Sequence, residues 1–189
     1  MAEKRSRPLR ADALQNETRL LEAAARAFAR DGAEASLKAV AQDAGVGIGT
    51  LYRRFPTREA LVEATYRNET ERLCAAATVL LERTDPRRAL REWMDRFTDF
   101  MATKHGMAEA LKLVLQADGE LRTTTRDLLA DAIATLVTAG VDAGQIRPDV
   151  PAEDVLVALG GITLIAGEPT HRALAGRLLD LLVDGLDHR

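Results

Sequence analysis

Between Val40 and Phe55 two apolar patterns of helical period meet at a turn carrying Gly45, and no other stretch constrains this chain so tightly. Leu37, Val40, Ala41 and Ala44 share one face at helical spacing; after Gly45-Val46, Leu51 and Phe55 form a second, shorter stripe. Two short amphipathic helices joined by a glycine turn make a helix-turn-helix. Ser36 stands where its hydroxyl can cap the first helix, and a glycine at position 45 can take the left-handed conformation that ends it. With Leu51 and Phe55 turned inward, Gly47, Ile48, Thr50, Arg53 and Arg54 look outward. That face is short, polar and cationic, which suits the major groove of DNA.

The charge distribution agrees with such a face. The net charge of the 189 residues is −3, but up to Tyr66 eleven Lys and Arg stand against nine Asp and Glu, and beyond it fifteen stand against twenty. Most of the surplus lies in the first ten residues, where Lys4, Arg5, Arg7 and Arg10 oppose only Glu3. A basic arm over residues 1–11, beside a helix-turn-helix, reads either as a phosphate clamp or as a solvated tail.

The remaining segments also read as helices. Aromatics make up only 4% of the chain, and alternating runs of β-branched residues are hard to find. A first helix is expected over 12–31, with Leu14, Leu21, Ala24, Ala25 and Phe28 inward and Gly32 ending it. After the helix-turn-helix, Pro56 breaks the chain and Thr57 can cap a long fourth helix reaching towards Asp85-Pro86. Pro86 suits the first turn of a fifth, which ends near His105-Gly106; a short helix from Met107, a longer one over 120–143, and a helix opened by Pro151 follow. The expected architecture is therefore all-α with about nine helices. A three-helix DNA-binding module spans 12–72, and a helical bundle spans 73–189.

The last two helices carry an association signal. Leu174, Leu178, Leu179, Leu181, Leu182, Val183 and Leu186 cover an arc of about 200° on a wheel of about 100° per residue, roughly twice what one core-facing side needs. Val155, Leu156, Leu159, Ile162, Leu164 and Ile165 precede them, and Gly160-Gly161 would permit close backbone approach. Such a pair is either buried within one protomer or pairs with its copy as a four-helix bundle. The second is expected, with Val155, Leu159, Ile162, Leu174, Leu178, Leu181, Leu182 and Leu186 at the interface, because a small domain has few other elements to cover both faces.

Enzyme chemistry finds no support. His105, His171 and His188 are scattered, none at metal-ligand spacing, and there is no phosphate-cradling glycine loop or nucleophile motif. No cofactor or metal is implied. Cys74 sits amid alanines and reads as a small core residue; as the single cysteine it makes no internal disulfide. No signal segment or membrane-length apolar run is visible, so the expected location is the cytoplasm and no membrane partner is expected.

The first seventy residues resemble the TetR family of transcriptional regulators. The resemblance rests on an ordered set: Ala27-Phe28-Ala29-Arg30-Asp31-Gly32, Val40-Ala41, Ala44-Gly45-Val46, Gly49-Thr50-Leu51-Tyr52, Phe55, and Thr57-Arg58-Glu59-Ala60-Leu61. Beyond it the likeness is one of architecture. The resemblance implies that Ser36, Lys38, Gly47, Ile48, Gly49, Thr50, Tyr52, Arg53, Arg54 and Arg58 approach DNA. Tyr52 would place its hydroxyl on a phosphate, and Arg58 would grip the flanking backbone. Two departures stand out: Gly47 replaces a common Ser or Thr, and the pair Arg53-Arg54 stands where aromatics or His are frequent. Two arginines can read guanine bidentately or add phosphate affinity.

The family also implies a homodimeric repressor on a palindromic double-stranded operator, released by a small molecule that favours a conformer with a swung fourth helix. The alternative is a ligand-binding or interaction protein of the same fold that no longer binds an operator. Trp93, Met94, Phe97, Phe100, Met101, Leu111, Leu115, Leu129 and Ile133 form the candidate cavity wall for the effector, or else plain core.

Overall fold

A computed structural model describes residues 6–166 and 169–187, with side chains for 14–166 and 170–187. Nine α-helices follow one another among the described residues: α1 (Ser6–Asp31), α2 (Leu37–Asp43), α3 (Ile48–Arg54), α4 (Arg58–Leu81), α5 (Pro86–Gly106), α6 (Ala108–Ala117), α7 (Gly119–Asp142), α8 (Ala152–Ala166) and α9 (Arg172–Gly185). Short 3₁₀ turns occupy Gly32–Glu34 and Pro169–His171, and a single isolated bridge joins Ile146 to Asp187. The fold is all-α, as the periodicity implies.

Element boundaries follow local chemistry. Ser36 Oγ accepts from the Ala39 amide, Thr57 Oγ1 accepts from Ala60 at 3.1 Å, and an Asp118 carboxylate oxygen accepts from Leu121 at 3.1 Å, so α2, α4 and α7 each start on a side-chain cap. Gly45 takes φ +69° after α2, the left-handed stop expected of it. One boundary differs from expectation. α1 begins at Ser6 rather than near residue 12, so the part of the expected arm from Ser6 on is helical, while Lys4 and Arg5 lie outside the described residues.

The described chain forms two compact units that do not follow a simple split. The first takes the residues up to Asn68 and also Thr103–Ala117; the second takes Glu69–Ala102 and the residues from Asp118 on. In the first unit α1 packs on α2, α2 on α3, and α6 on the turn Gly32–Glu34. Phe28, Val40, Leu51, Leu61 and Val62 are buried there, as their spacing implies. The inclusion of α6 was not legible in the linear pattern.

In the second unit α7 packs on α8 and α8 on α9. Trp93, Met94, Leu90, Ile133, Leu136, Leu159 and Leu179 form its centre. The Trp93 indole N–H donates to the Leu73 carbonyl at 2.8 Å, which satisfies the only polar atom of a fully buried ring. Arg87, Arg91, Asp95 and Asp99 repeat every four residues along α5 and meet a matching charge series on α9 and just after it. Arg87 pairs with Asp184 and Asp187, Arg91 with Asp180, and Arg172 with Asp99. The two helices therefore run antiparallel along a charged seam.

Candidate nucleic-acid interface

The helix-turn-helix is built as its apolar spacing demands. Leu51 is fully buried and Phe55 nearly so, which turns the opposite side of α3 outward. Gly47 caps α3 with extended backbone (φ −71°, ψ 146°) and no side-chain bond. Ile48, Gly49, Tyr52, Arg53 and Arg54 are exposed and Thr50 is half-buried. Lys38 is exposed near the start of α2. The outward residues thus form one surface that carries hydroxyls, a phenol, cations and an apolar tip, which is the mix that meets base edges and phosphates.

Three residues assigned to this surface are held by the protein itself. Ser36 uses its hydroxyl as the cap of α2. Arg54 reaches across to α1, where its Nη2 donates to Glu17 Oε1 at 2.5 Å. That bond and the neighbouring charge raise the Arg54 pKa further. Arg58 donates from Nη1 to the Ala35 carbonyl and from Nη2 to the Ala33 carbonyl, each at 2.8 Å, and its guanidinium lies 5.3 Å from the centre of the Phe28 ring. It braces the turn after α1 from inside the unit. Sequence spacing placed Arg58 at the head of α4 but gave no sign that two unpaired carbonyls would lie within its reach.

The residues singled out as an effector wall lie in two different units. Trp93, Met94, Phe97, Phe100, Leu129 and Ile133 are core of the second unit, with Met101 half-buried. Trp93 and Phe97 ring centroids lie 5.7 Å apart, and Phe97 and Phe100 6.2 Å apart. Leu111, buried, and Leu115, half-buried, belong to the first unit. A cavity of about 450 Å³ lies in the first unit and is lined by none of these nine. Phe28, Ala33, Arg58, Val62, Met107 and Leu113 contribute to its wall, with Glu59, Glu109 and Lys112 at its polar parts.

The residues expected at a subunit interface divide into two groups. Val155, Leu159 and Leu186 are buried within the single chain. Ile162, Leu174, Leu178 and Leu182 are half-buried, and Leu181 is 67% exposed. Val157, Leu164 and Ile165, the last two 77% and 73% exposed, extend the same apolar surface along α8. Among the described residues no group of three metal-ligating side chains comes together, and no helix is long and apolar enough to cross a membrane. His188 lies outside the described residues.

Comparison with known proteins settles what carries this architecture. Residues 20–65 match the model of bacterial regulatory proteins of the tetR family, and residues 85–188 match the model described as the C-terminal domain of SbtR-like transcriptional regulators. The chain belongs to the TetR family. A TetR transcriptional regulator from Streptomyces coelicolor is 46% identical, with 91% of this chain and 98% of that one covered and a TM-score of 0.86. A TetR regulatory protein from Mycobacterium vanbaalenii is 29% identical, with 95% and 99% covered and a TM-score of 0.74. The family resemblance stated from the first seventy residues is thereby established, and it extends over the C-terminal region, where the family diverges most. This TetR-family chain is a DNA-binding transcriptional regulator and not an enzyme.

Proposed function

We propose that the regulator is a cytoplasmic homodimeric repressor that binds a palindromic operator and leaves it when a small molecule binds. The observation that carries this reading is the outward face of α3, where Thr50, Tyr52 and Arg53 project from a helix pinned by buried Leu51 and Phe55. Lys38, Gly47, Ile48 and Gly49 complete the proposed DNA face, with Ser36, Arg54 and Arg58 supporting it. A second copy supports the two-fold symmetry such an operator needs. Val157, Leu164, Ile165 and Leu181 leave an apolar surface in water on a single protomer, and a β-carbon at Gly160 or Gly161 would meet nothing within 4 Å there, so a second α8–α9 pair has room to approach. The effector site is proposed among Trp93, Met94, Phe97, Phe100, Met101, Leu129 and Ile133, where a ligand must part the tilted rings. It acts only through different affinity for two conformers.

Selection of bound DNA from a random pool tests the reading. A two-fold symmetric site is expected, and affinity for it should fall steeply with salt as counterions are released. A salt slope near zero overturns it. Since Trp93 is the single tryptophan, its emission reports which small molecules enter the core and release the DNA.

A further inference from the structure

We propose that the two arginines closing the recognition helix divide its work: Arg54 is a positioning residue that pins α3 to α1 through Glu17, and Arg53 is the one that meets DNA. The inference rests on the DNA-binding role of α3 and deepens it.

Helix geometry separates the two side chains. At about 100° per residue, Arg54 lies about 60° from the direction of Leu51, and Arg53 about 160° from it. Leu51 is fully buried, so its direction marks the core. Arg54 is therefore close to the seam between α3 and its neighbours, whereas Arg53 points away from it beside Gly49. The contacts agree. Arg54 is bonded to Glu17 and its guanidinium carbon lies 5.7 Å from the centre of the Phe55 ring, which is itself 4% exposed. The Arg53 side chain is exposed and has no hydrogen bond or ion pair among the described residues. A bond spanning 37 residues of sequence ties the end of α3 to α1. A phosphate gripped by Arg54 would stand beside the Glu17 carboxylate that already holds Nη2, so that two anions would share one guanidinium.

Operator affinity is measured by fluorescence anisotropy across a salt series, using a DNA site selected on the wild-type protein, for Arg53→Ala, Arg54→Ala, Glu17→Gln, the double variant Glu17→Gln with Arg54→Ala, and the swap Glu17→Arg with Arg54→Glu. Arg53→Ala should reduce the salt slope by about 1, as loss of one phosphate contact does. Arg54→Ala and Glu17→Gln should each weaken binding about two- to fivefold at an unchanged slope, and the double variant should be no weaker than either alone. The swap should restore affinity, since the strut is re-formed with its charges exchanged. The proposal is overturned if Arg54→Ala lowers the slope while Glu17→Gln tightens binding, because Arg54 then contacts phosphate, or if Arg53→Ala leaves the slope unchanged. A wild-type slope near zero would instead overturn the DNA-binding reading beneath it.

Discussion

The carbonyl oxygen of Phe28 lies 1.9 Å from the point where a β-carbon on Gly106 would stand. The end of α5 and the end of α1 are therefore in backbone contact within the first unit, and only a residue without a side chain permits it. In an unencumbered helix, alanine is favoured over glycine by about 1 kcal/mol. Here the obstacle is backbone rather than a flexible side chain, so the helices must separate. Gly106→Ala should destabilise the protein by about 1–3 kcal/mol despite the better helix former, in line with other overpacked sites. Thermal denaturation checks the sign: an unchanged or raised Tm would mean that the two helix ends part freely.

Much of the helix-turn-helix was legible because α2 and α3 are short, with an inner apolar side and local end signals. Leu51 and Phe55 declared the inner side of α3, and Ser36, Gly45 and Thr57 declared helix ends through bonds or conformations local to a few residues. What escaped was non-local. Arg87 pairs with Asp184 and Asp187 nearly a hundred residues on, and in sequence these charges look like ordinary solvated faces. The part Thr103–Ala117 plays in the first unit, and the capture of Arg54 and Arg58 by α1 and its following turn, likewise depend on which surfaces meet. On α8 the apolar stripe at Val157, Leu164 and Ile165 was partly hidden by residues apolar all round; burial separates Val155 and Leu159 from it.

Arg58 offers a test of brace against grip. Its two carbonyl acceptors and the Phe28 ring need a planar fork, which a lysine ammonium cannot supply to both at once. Arg58→Lys should lower stability by about 1–2 kcal/mol in urea denaturation, in keeping with one charged hydrogen bond lost from a half-buried group. Because the charge is retained, the salt slope of DNA binding should stay as it is. A stable variant with weakened operator binding would place Arg58 on DNA instead.

Cys74 is half-buried, and burial, then the nearby Asp131 and Glu71 carboxylates, push its thiol up to about 11. About two pH units above an ordinary thiol means about 100-fold less thiolate at neutral pH. Alkylation by iodoacetamide at pH 8 should be correspondingly slow in the native state and rise about tenfold per pH unit up to the shifted value. The linkage has a definite sign. Between about 9 and 11 the folded state holds the proton that the unfolded state has lost, so this group's contribution to stability is present below that window and declines as pH rises through it. Fast alkylation with a plateau near pH 9 would refute the assignment.

The exposed stripe on α8 and α9 gives the proposed dimer its sharpest test. Leu164, Ile165 and Leu181 are at least two-thirds exposed on one protomer, while Leu159, Leu179 and Val183 beneath them are buried. A charge placed on the outer set burdens association alone; one placed on the inner set burdens folding as well. Leu164→Asp and Leu181→Asp should therefore raise the dimer dissociation constant by two to three orders of magnitude, about 3–4 kcal/mol in the range of interface hot spots. The circular dichroism spectrum should keep its helical form. Sedimentation velocity over a concentration series reads the first effect directly, and operator affinity should fall with it, because each half-site is then held by one module alone. A protein that sediments as a monomer before any substitution would defeat the two-fold reading, whereas variants that remain dimeric would move the interface off this face.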